Sequence, residues 1–174
     1  MLVTSMSGLV AFGLGDLNAH VKTLREALGA GAEDPRLHAT LGMCLLRLGF
    51  PERALSHFEK AIEDDFEDSE CYFHAAIASL GGKKAFLAPL AAIRTAERYL
   101  DVALQLDQRG IYAYFYGYLR FDYYERKSLN AQPGFAFYLD EARRLGSTEL
   151  DIAALADLLR VDPASVVIPA NLAR

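Results

Sequence analysis

The stretch that most limits the fold is residues 35–68, PRLHATLGMCLLRLGFPERALSHFEKAIEDDFED. Leu41, Gly42 and Leu45 share one helical face before the break at Gly49-Phe50-Pro51, and Ala54, Phe58 and Ala61 share another after it. Small residues at Gly42, Ala54 and Ala61 let two helices approach closely, while Leu41, Leu45 and Phe58 fill the seam between them. One helix pair cannot cover such a seam alone, so neighbouring copies are expected.

The copies are found at a shift of 34 residues. Upstream, Gly8 falls on Gly42, Leu9 on Met43, Phe12 on Leu46, Gly15 on Gly49, Leu24 on Phe58 and Ala27 on Ala61. Downstream, Tyr72 falls on His38, Ala75 on Leu41, Ala76 on Gly42 and Ile77 on Met43. With this period and spacing the chain resembles a tetratricopeptide repeat protein over roughly residues 1–108, and more loosely beyond. The resemblance implies an all-α fold, antiparallel helix pairs stacked into a short right-handed superhelix with a C-terminal capping helix.

Composition narrows the function classes. The chain has 174 residues, enough for four or five stacked helix pairs, and 52% hydrophobic content excludes wholesale disorder. Eighteen basic against 23 acidic side chains give a net charge of −5, which argues against nucleic acid or an anionic membrane as partner. Cys44 and Cys71 are the only cysteines and both lie among apolar neighbours, which reads as structural thiols in a reducing, cytoplasmic setting. The apolar start MLVTSMSGLVAFGLG lacks the basic residues of a signal peptide and is shorter than a membrane span.

In chain order, one domain is expected over residues 1–161, with helix pairs at about 2–29, 35–64, 70–107 and 110–145. A capping helix at 148–160 and an extended tail over 162–174 complete it. Asp16 reads as an N-cap, Asp34 caps a helix that Pro35 opens, and Asp68 or Ser69 caps the next. The acidic run from Glu63 to Glu70 lacks the glycine and ligand spacing of a calcium loop and reads as a solvated turn. Gly81-Gly82 stops a helix, and the following segment, 84–107, is about eight residues too long for a regular second helix, with Pro89 as a first turn or a kink. In GIYAYFYGYLRFDYYERK, tyrosines at 112, 114, 116 and 118 alternate as in a strand, while the helical flanks and Gly117, in the place of Gly42, favour a helix.

Catalytic chemistry finds no constellation. Histidines 20, 38, 57 and 74 are scattered, Gly82-Lys83 lacks the rest of a phosphate loop, and no dinucleotide fingerprint or serine elbow is present, so neither enzyme activity, metal nor cofactor is expected. A binding surface remains. The resemblance implies that the first helix of each pair lines a concave groove, and carried onto this sequence that stripe is Arg36, Met43, Leu46, Arg47, Phe73, Ile77, Tyr114, Tyr118 and Phe121, extended by Leu9 and Phe12. The lysine and asparagine clamp of some tetratricopeptide domains is replaced here by Ala39, Met43, Phe73 and Ile77, so an apolar or amphipathic protein segment is the expected ligand. The leading expectation is a non-catalytic adaptor or scaffold. A secretion-type chaperone for an export substrate and a self-assembling structural protein are the alternatives, and the groove filled by the chain's own helix or tail is the competing fate of the stripe.

Overall fold

Helix starts and stops follow from local chemistry. In the computed structural model, which describes residues 14–31 and 34–169, Asp34 Oδ1 accepts the Arg36 N–H at 3.0 Å while Pro35 takes the first helical position. Gly49, at φ +85°, makes the turn that ends this helix, and Asp68 accepts the N–H groups of Glu70 and Cys71 to start another. The elements are α1 (Leu14–Gly29), α2 (Pro35–Arg47), α3 (Pro51–Asp64), α4 (Ser69–Ser79), α5 (Leu90–Leu106), α6 (Gly110–Leu119), α7 (Phe135–Arg144) and α8 (Glu149–Leu159). No strand occurs among the described residues. The first expected helix, with Gly8, Leu9 and Phe12, lies outside them.

From α1 to α7 consecutive helices pack on one another, and close approach is built in at glycines. A Cβ on Gly42 would stand 2.7 Å from Phe58 Cε1, so α2 meets α3 closely at this glycine. Gly117 does the same for α6 and α7, where a Cβ would reach Leu139 Cδ2 at 3.2 Å and Tyr138 Cβ at 3.3 Å. On α5, Ile93, Ala96, Leu100 and Ala103 form the buried stripe.

Two expectations are corrected, and a third, the helical tyrosine run, holds. Asp16 lies in the first turn of α1 rather than at its cap, because the helix already begins at Leu14. The overlong segment after α4 is not one helix: Gly81 and Gly82 both have positive φ, a 3-10 turn forms at Ala85–Leu87, and Pro89 caps α5 instead of kinking it. The tyrosine run is helical. Every residue of α6 from Gly110 to Leu119 is buried, and a helix surrounded on all sides has no polar face to print its 3.6-residue period on the sequence. Its last turns widen into a π turn at Arg120–Tyr124 and tighten into a 3-10 turn at Glu125–Lys127 before Ser128 closes it at φ 54°.

Gly110 tests this packing most directly. Its Cβ would lie 2.5 Å from the Ser147 amide nitrogen and 2.9 Å from the Ala142 carbonyl oxygen, both backbone atoms that cannot swing aside. Gly110→Ala is therefore expected to cost about 1–3 kcal/mol, at least as much as Gly42→Ala, where only a ring edge blocks the way; urea unfolding of both variants checks it.

Candidate functional site: the face shared by α2, α4 and α6

The first helices of three successive pairs, α2, α4 and α6, share a side, and α8 packs against all three. Helix α8 starts with a capping box: the Asp151 N–H donates to Thr148 Oγ1 at 3.2 Å, and the Thr148 N–H donates to Asp151 Oδ2 at 2.9 Å. Its buried residues are Leu155, Ala156, Leu158 and Leu159. Arg160 ends it in the left-handed region, at φ 57°. Its guanidinium lies over Gly49, where a Cβ would come within 2.9 Å, and its Nη1 donates to the Arg47 carbonyl at 3.2 Å. An exposed C-terminal carbonyl of α2 thus gains a cation from the far end of the chain.

The chain then continues across the same side. Asp162 caps a 3-10 turn at Pro163–Ser165, after which Val166 and Ile168 are buried while Val167 between them is 56% exposed. Val166 has helical backbone angles, φ −95° and ψ −16°, and closes the turn, so the last residue of the turn and the second residue beyond it face the core together. The Tyr114 hydroxyl donates to the Val166 carbonyl at 2.9 Å and accepts the Ile168 N–H at 3.4 Å. The described part of the expected loose tail is therefore docked, through one hydroxyl that serves a C=O and an N–H two residues apart.

This placement corrects the expectation of an open groove. Met43, Leu46, Phe73, Ile77, Tyr114 and Tyr118 belong to the same continuous core as Leu155, Leu159, Val166 and Ile168. The physical reason is area: an inner wall this apolar is covered by the chain's own last 20 or so described residues rather than left to water. Arg36 is exposed and pairs with its own cap, Asp34, at 3.0 Å. Arg47 sits at the end of α2 under Arg160, lining a cleft of about 390 Å³ with Ala156, Asp157 and Val161. Phe121 departs from the stripe altogether and packs edge-on against Phe135 of α7, with centroids 5.3 Å apart.

Two buried polar clusters flank the site, and sequence reading missed both. Asp122 Oδ2 accepts the Phe86 N–H at 2.7 Å and the Tyr118 hydroxyl at 3.3 Å, while Oδ1 pairs with Arg126. The Tyr118 hydroxyl in turn accepts the Ala85 N–H at 3.3 Å, so the 3-10 turn after α4 is tied to the π turn after α6. Phenol ionisation at Tyr118 is pushed up by burial and by the Asp122 charge. On the other side, Arg120 pairs with Glu97 at 3.2 Å and lies over the rings of Tyr116 and Tyr124, at 5.2 and 5.0 Å. Burial pushes the Glu97 carboxyl up, against the pull of Arg120. These groups are arranged to hold segments together; a nucleophile paired with a base is not among them.

Comparison with protein-family models, with curated proteins and with solved structures found no match. The likeness to tetratricopeptide repeats therefore rests on the chain's own spacing. Among the described residues no group of three or more His, Cys, Asp or Glu side chains is placed to hold a metal ion, and no helix is long and apolar enough to cross a membrane. Burial raises both thiols, Cys44 to about 11 and Cys71 further still, where the Asp68 carboxylate adds to the effect.

The histidines have a structural role. His38 and His57 face each other across the α2–α3 seam, Nδ1 to Nδ1 at 2.9 Å, an arrangement that needs one N–H and one lone pair. Desolvation, and then the His38 neighbour, lowers His57 to about 4; burial lowers His74, stacked on Phe58, to about 4 as well. Because the unfolded chain takes up these protons first, stability should be full above about pH 6.5 and fall as the pH drops toward 4. Thermal unfolding across that range checks the sign, and His57→Gln should flatten the slope. Tyr114→Phe leaves the Val166 carbonyl and the Ile168 N–H without their partner and should cost about 1–3 kcal/mol, with faster amide exchange at Ile168 as the local readout.

Proposed function

We propose that this chain is a tetratricopeptide-like, non-catalytic interaction module, a cytoplasmic adaptor or scaffold that holds a segment of another protein along α2, α4 and α6. In this reading the helix pairs follow the superhelical stacking implied by the 34-residue period. The observation that carries it is the seating of a chain segment on that face: Val166 and Ile168 enter the core, and the Tyr114 hydroxyl satisfies the backbone between them. Tetratricopeptide-type pairs are scaffolds for holding such segments, and the tyrosines supply rigid amphipathic contacts. Self-assembly through the tyrosine helix has less support, because α6 is already covered within the chain by α7, α8 and α5.

Selection of a displayed peptide library against the immobilised full chain tests the reading. Ligands of micromolar Kd are expected, the strength given by burying a few apolar side chains less the cost of ordering them. A selection that enriches no ligand would remove the adaptor reading.

A further inference from the structure

We propose, resting on that reading, that the partner segment is one in which a tight turn leads into apolar side chains two residues apart, and that residues 161–169 of this chain are its internal stand-in. The stand-in defines the chemistry of the ligand. Val166 and Ile168 point into the core and Val167 between them points out, so the site takes side chains two residues apart. A helical segment would present its side chains at three- and four-residue intervals and would direct its own N–H and C=O groups along its axis, away from a side hydroxyl.

Tyr114 acts as the backbone reader. One hydroxyl donates to the carbonyl of the first anchor residue at 2.9 Å and accepts the amide of the second at 3.4 Å. That pattern reads the backbone on either side of Val167 whatever the side chains, while the two apolar positions two residues apart supply the selection. The turn before it is held locally, by Asp162 to the Ala164 N–H at 2.8 Å and by Ser165 Oγ to the Asp162 carbonyl at 2.6 Å. Val161 stays with α8, packed on the core with its N–H donated to the Ala156 carbonyl, and beyond it the segment reaches α2, α4 and α6 chiefly through two side chains and one hydroxyl, contacts that an incoming segment of like pattern reproduces.

The experiment uses the full chain with Val166→Asp and Ile168→Asp, which places two carboxylates where burial forbids them and releases the segment. A fluorescein-labelled peptide VDPASVVIP, the sequence of residues 161–169, is titrated against it and against the unaltered chain by fluorescence polarisation. The released chain should bind it with micromolar Kd and the unaltered chain at least about tenfold more weakly, because its own segment competes; the peptide with Asp at both anchor positions should not bind. Absence of binding to a released chain that retains its helical circular dichroism overturns the proposal, and library ligands mapped to another face would then leave the adaptor reading standing. A second measurement needs no variant: in the unaltered chain the amides of Val166 to Ile168 should exchange faster than those of α2, α4 and α6, and exchange only with global unfolding overturns the proposal. A dimer in light scattering that dissociates on Val166→Asp would assign the site to the segment of a second copy, and would overturn it too.

Discussion

Helix α6 has no side that faces water. Its ten residues are all buried, so each neighbour in the structure can be understood as a cover for one part of it: α7 across Gly117, the α7–α8 turn across Gly110, α5 along another side, and α8 with the tail across Tyr114. A helix carrying four tyrosines among its ten residues can be enclosed this way only if the hydroxyls are met by partners, since an unmet buried hydroxyl costs on the order of 1–3 kcal/mol. Packing around α6 and polar satisfaction inside that packing are therefore one problem.

Three of the four hydroxyls are spread over different segments. Tyr112 meets Ser69 Oγ at 3.2 Å and Arg109 at 3.1 Å, near the start of α4; Tyr118 meets the 3-10 turn after α4 and Asp122; Tyr114 meets the tail. Tyr116 stacks flat on Tyr138, with centroids 4.2 Å apart and planes within 4°, beside the Arg120–Glu97 pair. Aromatic burial supplies the bulk of the apolar contact, and the polar tips fix which segment sits where.

Much of this was legible in the residues. Helix starts and stops at Asp34, Pro35, Gly49, Pro51, Asp68 and Gly81 are written in capping chemistry, and the tight contact of Gly42 with Phe58 is written in the spacing of small and large side chains. Gly117 in the register of Gly42 told which side of α6 meets α7. What could not be read is whether an apolar wall is open or filled, because Met43, Phe73 and Ile77 have the same sequence signature against a foreign segment as against the chain's own. The Asp122 and Glu97 clusters were hidden in part: Tyr118 and Arg126 stand four residues either side of Asp122, but its Phe86 partner is 36 residues away and Glu97 meets Tyr124 across 27. The run Val166-Val167-Ile168 is apolar enough to point to a docked segment, a signal that the expectation of an extended tail passed over.

The contact of Arg160 with the Arg47 carbonyl spans 113 positions of sequence. A stack of helix pairs has mostly short-range contacts and can assemble pair by pair, from whichever end is ready first. Here α8 lies across three of the pairs and ties them together, which favours cooperative over stepwise assembly. During synthesis the aromatic wall would stay uncovered until residues 149–169 leave the ribosome, which places its period of exposure to aggregation, and to chaperones, after all the helices it lines have been made.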